Sequence, residues 1–451
     1  MVIQRRKGNA GWRLAGVPYY EGAGSRKVSM DSYKDTYFTR NVCGVAAVEF
    51  FWGLGFPIVL ESTFLQLFLR NLGASSFAIG IVPSIFIVGI SCFPLFSSYL
   101  SRNKRLKKKT VLLLHLVSAL SIFLFGWTLL LVKQTAILPL FYISYTIFSL
   151  CMGLTIPVWL NYLVRIFSER KTVPGIGYMM LSQNVGKVIS SFFILKVVEK
   201  YAFSIDSSAI IFIVTGLVFI IGSLCFAFTK EIADKNDPKP DRVKFLRHTR
   251  QHLSEIIKNR KFIIFLIADL DFYVIITVLS FYANYATEYF GVKQAVAAGV
   301  FVGCIYAGSI SVNILLGTLD YLGLKQKFIL SKCITFSALI LLIMMPSNLS
   351  FFIISYLLGC VRAIRNMVYT PSVKKLSGMV DATPYFALAP ILTLPVGFGY
   401  PLMFGKMLDY LAFMGADSYK VLYGFSALFI LITLFFSFLT KFDDKAEIMN
   451  K

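Results

Sequence analysis

The sequence predicts an all-α membrane protein of twelve transmembrane helices, arranged as two pseudo-symmetric six-helix halves. Hydrophobic residues make up 57% of the 451-residue chain and charged residues 15%, with a mean hydropathy of +0.71, more apolar than a soluble domain needs. Twelve apolar stretches reach the roughly 20 helical residues that cross a bilayer core of about 30 Å. Two segments 218 positions apart also repeat one another: Gly73 stands 34 residues before Lys107, and Gly291 stands 34 before Lys325. A turn, one crossing and a basic return therefore occur twice, which marks parallel repeats.

Taken in order, residues 1–40 hold eight Lys or Arg and no continuous apolar core. They read as a basic cytoplasmic tail, disordered in part and not a signal peptide, with Met30 available as a second start. The first half, 41–229, contains the stretches 42–69, 77–100, 111–132, 136–167, 175–195 and 208–228. Residues 230–261 carry ten Lys or Arg and the breaker run Asp237-Pro238-Lys239-Pro240, then a helix-like stretch from Val243 to Arg260. That pattern predicts a cytoplasmic linker ending in an interfacial helix. The second half, 262–440, contains 262–290, 296–319, 328–345, 349–373, 384–405 and 421–439, and 441–451 is a short cytoplasmic tail. Runs this long and unalternating suit helices, because lipid leaves no backbone group unpaired and barrel strands are short.

Lys and Arg total 45 against 23 Asp and Glu, a formal net charge of +22. Placing both termini in the cytoplasm puts most of them on the cytoplasmic side, as the positive-inside rule requires. The basic clusters border spans, so they meet anionic lipid headgroups and not nucleic acid. Cys43, Cys92, Cys151, Cys225, Cys304, Cys333 and Cys360 all fall in spans without CxxC spacing and read as packing residues. His248 and His252 are four apart without the glutamate of a zinc-hydrolase motif, His115 is alone in an apolar span, and no phosphate loop or nucleophile elbow occurs. Neither metal nor cofactor is expected, and no catalytic constellation points to an enzyme.

Between the second and third spans of the second half runs Gly317-Thr318-Leu319-Asp320-Tyr321-Leu322-Gly323-Leu324-Lys325. With a single deletion before the aspartate, this resembles the G-x-L-x-D-x-x-G-x-K/R turn of the major facilitator superfamily. In the first half only the basic end survives, with Ser97, Ser101 and Lys104 where Gly, Asp and Gly would stand. Ile143-Ser144-Tyr145 with Pro157, and Ile354-Ser355-Tyr356 with Pro371, mark the fourth and tenth spans as a second similar pair. The resemblance covers about residues 38 to 440. It implies that the first, fourth, seventh and tenth helices line a central path, and that the turn of Gly317, Asp320, Gly323 and Lys325 gates it by stabilising the outward-facing state. The antiporter Gly-Pro pattern of the fifth span is missing.

Charges inside spans cost about 2.5 to 3.5 kcal/mol each on insertion scales, so function is sought there. At a rise of about 1.5 Å per residue, Asp271 and Arg365 both lie about 14–15 Å from the cytoplasmic edge, which predicts an Asp271–Arg365 contact. Arg362 shares the face of Arg365, whereas Asp269, two residues from Asp271, cannot share its face. Glu61 and Lys187 match in depth and charge, which predicts a second pair, and Glu49 lies in the inner half of the first span without an evident partner. Asn161, Asn184 and Asn366 would add hydrogen-bonding capacity, and Trp52 and Trp159 fall where a solute could stack. In-span prolines such as Pro57 and Pro371 supply bends.

The expected function is secondary active transport of a small polar or anionic solute by alternating access of two halves, in the cytoplasmic (inner) membrane and as a monomer. Glu49, Glu61, Asp269 or Asp271 would carry a coupled proton, and Arg362 and Arg365 suit a carboxylate or phosphate. The alternatives are an uncoupled facilitator or, from another class, a polytopic membrane enzyme or receptor-like sensor. Against a sensor stands the shortness of the tails and linker, too short to fold as an output domain.

Overall fold

The structure, a computed structural model, describes residues 30–60, 63–101, 106–231, 253–319, 321–378 and 382–442. Within these residues, every predicted stretch forms helix. The first half comprises α1 (Phe38–Val59, continued past a break by Phe64–Asn71), α2 (Ser76–Ser101), α3 (Lys108–Leu131), α4 (Gln134–Ile166), α5 (Glu169–Tyr201) and α6 (Ile205–Leu224). The second comprises α7 (Arg260–Ala268 and Asp271–Tyr289), α8 (Gln294–Val312), α9 (Leu324–Met344), α10 (Asn348–Ser377), α11 (Thr383–Tyr410) and α12 (Ala416–Leu439). Among the described residues, 11 helices are long and apolar enough to cross a membrane. The twelfth is α5, which has the length at 33 residues but is diluted by Gln183, Asn184 and Lys187 near its middle.

Two predicted spans are interrupted. In α1, Pro57 has no N–H to offer the carbonyl four residues back, and the helix gives way after Val59. In α7 the break is a tightened turn, where the N–H groups of Phe272 and Tyr273 bond carbonyls only three residues back, those of Asp269 and Leu270. The interfacial helix expected over Val243 to Arg260 is described only from 253 and is helical over 253–258. It stops at Asn259, whose side chain accepts from the Phe262 N–H and donates to the Leu376 carbonyl. This cap starts α7 afresh. The tails 1–29 and 443–451, His248 and His252 lie outside the described residues.

Within the first half, α1 packs on α5 and α6, α2 on α4, and α3 on α4 and α6. In the second, α8 packs on α10, and α9 on α10 and α12. Glycines set the spacing, because without lipid-driven apolar attraction helices gain by close backbone approach. A Cβ on Gly89 or Gly153 would strike the facing backbone across α2 and α4, and one on Gly308 or Gly359 would do the same across α8 and α10. The halves meet along α2 with α11 and along α5 with α8, where Gly80 faces the backbone of Pro401 and Gly405 that of Ser76.

At the end of the bundle away from the chain termini, the repeat becomes a contact. Gly73 (φ +83°) and Gly291 (φ +67°) take left-handed conformations at equivalent positions. Three residues before each stand Arg70 and Glu288, 218 positions apart, which bind each other across the halves at 2.5 Å and 3.1 Å in a two-pronged pair. Nearby, the Asp409 carboxylate at the end of α11 accepts the Ser76 and Phe77 N–H groups at 2.7 and 2.8 Å, an anion on the N-terminus of α2. These contacts close this end. Arg70 and Glu288 keep 34% and 24% side-chain exposure, so a double-mutant cycle on thermal unfolding is expected to give a coupling of about 0.5–1 kcal/mol. Arg70→Glu combined with Glu288→Arg should recover most of what either change alone loses; no recovery would show that the two charges act independently.

Candidate functional site

The break in α7 sends its two aspartates in different directions. Asp269 receives Arg365 of α10 through Nε at 3.2 Å and Nη2 at 2.8 Å. The guanidinium also lies over the rings of Phe272 at 3.6 Å and Tyr369 at 4.6 Å. Asp271 instead meets Lys332 of α9 at 2.7 Å, with side-chain exposures of 2% and 0%. The predicted Asp271–Arg365 contact is therefore replaced by Asp269–Arg365. Depth matches the expectation but direction does not, because the tightened turn aims Asp269 at α10 and Asp271 at α9. Sequence reasoning passed over Lys332, although it is the sole charge in α9 beyond Lys327.

In the first half, Glu49 is buried at 7% exposure and does have a partner: Gln183 Nε2 of α5 donates to its carboxylate at 2.5 Å. One turn further along α5, Lys187 interacts electrostatically with Glu49. Its ammonium lies 5.5 Å from the Phe56 ring and 5.3 Å from that of Tyr306 on α8, across the junction of the halves. Glu61 lies outside the described residues, and with it the predicted Glu61–Lys187 pair. Trp52 is packed among aromatic side chains. It stacks on Phe219 at 4.2 Å, edges His115 at 4.8 Å and donates to Ser223 Oγ, all inside the first half. Trp159 joins the same cluster through Tyr162, Phe226 and His115.

Asn161 is exposed and accepts from Arg165 Nε, Asn184 is half-buried on α5, and Asn366 is exposed on α10. At the candidate gating turn, α8 ends in a π-helical turn, Asn313–Thr318, holding Gly317. Gly323 precedes α9 and donates its N–H to Gln326 Oε1, and Lys325 donates to the Phe438 carbonyl. Asp320 lies outside the described residues.

Between the halves is a cavity of about 160 Å³. Its walls come from both pieces of α1, from α2 and α4 on one side and from α7 and α10 on the other, including Val59, Leu65, Val82, Phe86, Phe272, Ile275 and Ile276. Among the described residues, three polar side chains reach it: Tyr145, Gln66 and Arg362. Tyr145 donates its hydroxyl to the Val59 carbonyl. Gln66, 2% exposed, has a buried Oε1 with no hydrogen-bond partner among the described residues. Sequence reasoning singled out Arg362 and passed over Gln66, whose signal is an amide within the otherwise apolar run Phe64-Leu65-Gln66-Leu67-Phe68.

The family profile of the Major Facilitator Superfamily matches residues 51–380. The chain belongs to the major facilitator superfamily. Its fold is similar to that of the nucleoside transporter NupG, with a TM-score of 0.68 at 13% identity over 88% of this chain and 98% of that one. A bacterial homologue of the human lysosomal transporter Spinster, inward-facing and unoccupied, gives 0.63 at 12% identity over 92% and 98%. A variant of the E. coli fucose:proton symporter FucP gives 0.58 at 15% identity over 89% and 98%. No curated protein matches the chain. Membership makes the chain a multi-pass transporter of a small-molecule solute and gives the cavity between the halves its context.

The sealed Asp271–Lys332 pair yields a stability prediction. Lys332→Ala strands a buried carboxylate and should cost about 3–5 kcal/mol, whereas Asp271→Leu with Lys332→Leu should fall close to the parent. Thermal unfolding of the purified variants reads this directly; a single variant no worse than the double would mean that Asp271 finds another partner.

Proposed function

We propose that the protein is a secondary active transporter that carries a small polar or anionic solute through the cytoplasmic membrane by alternating access, with both termini in the cytoplasm. Residues 41–229 and 262–440 rock against each other about the linker 230–261. The observation that carries this reading is the placement of Arg362. It lines a cavity whose walls come from both halves, so that movement between the halves opens the site at either end. The Arg70–Glu288 pair and the Asp409 contacts with α2 close the outer end, and breaking them is part of each cycle.

Coupling to protons is assigned to Asp269. Asp271 is sealed against Lys332, whereas the Asp269–Arg365 pair retains 7% and 18% side-chain exposure and so stands nearer to water. When the halves move, Arg365 can leave Asp269, and the freed carboxylate takes a proton. Glu49, held by Gln183 and Lys187, is the corresponding group of the first half.

Alternating access is tested without knowing the solute. A cysteine at Ile276, in a variant lacking the seven native cysteines, should react with membrane-impermeant thiol reagents applied from either face. Cross-linking Arg70→Cys to Glu288→Cys should abolish labelling from the outer face and preserve it from the cytoplasmic face. Reaction from one face only, unaffected by the cross-link, would sink the mechanism. For coupling, Asp269→Asn is expected to retain solute exchange while losing accumulation driven by a pH gradient in proteoliposomes; intact accumulation would move the coupling site elsewhere.

A further inference from the structure

We infer that the end sealed by Arg70 and Glu288 is closed over a layer of unmet hydrogen-bonding groups, led by Gln66 and Asn284, and that this layer drives that end toward opening. The inference rests on the alternating-access reading above and adds what sets the balance between its closed and open forms. Repeat symmetry singles out the two residues. Gln66 and Asn284 are 218 positions apart, the spacing that relates Gly73 to Gly291 and Arg70 to Glu288. Gln66 lies four residues before Arg70 and Asn284 four before Glu288, each within one helix piece. Both amides therefore stand one turn beneath the ion pair, on the face that carries it.

The two share an environment as well as a register. Gln66 is 2% exposed and Asn284 1%, and the second pieces of α1 and α7 that carry them pack on each other across the halves. Gln66 Oε1 and Asn284 Oδ1 accept no hydrogen bond among the described residues, and both are enclosed too tightly for water to touch them. They have company. Of seven buried side-chain oxygens left so among the described residues, three more belong to this region. These are the hydroxyls of Thr63, at the head of the second piece of α1, of Tyr285 beside Asn284, and of Tyr423 on α12, whose ring lies 5.6 Å from that of Tyr285. Buried polar atoms without partners are rare enough that such a concentration calls for a cause.

A buried acceptor without a donor bears the full cost of its dehydration, which the same atom in water does not. Closing this end strips water from Gln66 and Asn284 and gives nothing in return; parting the halves returns it. The Arg70–Glu288 pair at the rim acts in the opposite direction. A seal made of these two contributions holds at rest and still breaks in each cycle. Packing alone would place an apolar side chain at position 66, as at Phe64, Leu65, Leu67 and Phe68 around it, and an apolar residue there would leave the rim pair unopposed.

The test uses the full chain with its seven native cysteines replaced and Ile276→Cys as the probe. It compares this parent with Gln66→Met, Asn284→Leu and the double variant, whose new side chains are close in size to the old. Each single variant should slow labelling by an impermeant thiol reagent from the outer face by about fivefold or more, the effect of one unmet acceptor, and the double should slow it further. Labelling from the cytoplasmic face should not fall, so that the probe itself is shown to remain reachable. The ligand-free melting temperature should hold or rise in all three. Leu67→Met, an apolar exchange on the same helix piece, should leave outer-face labelling unchanged. Unchanged outer-face labelling in both single variants would overturn the inference. Faster labelling or a lower melting temperature would also overturn it, since either makes the amides supports of the closed form. The transport reading fails separately: if the parent is labelled at Ile276→Cys from one face only, alternating access is lost, while the melting temperatures still decide whether the layer strains the closed form.

Discussion

An ionised carboxylate inside a bilayer is costly unless a cation meets it, and the second half is organised by two such meetings. Asp271 with Lys332 ties the second piece of α7 to α9, and Asp269 with Arg365 ties the turn before it to α10. Both pairs cannot form from one regular helix face, since residues two apart point about 200° apart around the axis. The tightened turn at 269–270 and the two partners on different helices are therefore one arrangement. Immediately after it come Phe272, Ile275, Ile276 and Leu279, the wall that α7 contributes to the cavity. The ion pairs thus orient the part of the cavity wall that α7 contributes.

The first half solves the same problem with different chemistry. Glu49 is held by the Gln183 amide and by the more distant charge of Lys187, and Lys187 in turn lies near a ring of each half. A lysine flanked by aromatic faces at the α5–α8 junction can keep weak cation–π contacts while that junction shifts, whereas a sealed ion pair resists any separation. The division of labour follows from burial. The second half carries the sealed pair at Asp271, whereas Lys187 stands beside rings of both halves at the α5–α8 junction.

Duplication explains the contact of the halves at the end away from the termini. Residues at equivalent positions of two pseudo-symmetric halves approach each other near the axis relating them, as in an isologous interface. Two copies of one charged residue would repel there. Arg70 and Glu288 occupy that equivalent position with opposite signs, so divergence of the repeats has turned a self-contact into an attraction. The second seal is asymmetric: Asp409 caps α2, placing a charge-assisted contact on the α2–α11 seam.

The sequence by itself determined the class, the twelve helices and their pairing into halves, because length, hydropathy and the 218-residue repeat report on lipid exposure, which acts on each segment independently. It also ranked the charged positions and located Arg362, since depth along a helix is counted in residues. What only the tertiary structure decided was direction. Arg365 meets Asp269 and not Asp271 because a turn of local origin rotated one against the other, and Lys332 entered through a helix whose position around α7 no one-dimensional pattern encodes. Trp52, placed on a path-lining helix by its number, faces α3 and α6 because the large ring fills the space left between them. Gln66 was invisible for the opposite reason: an amide carries no charge to rank, and only its burial against a cavity, with an acceptor unmet, separates it from any other polar residue in an apolar run.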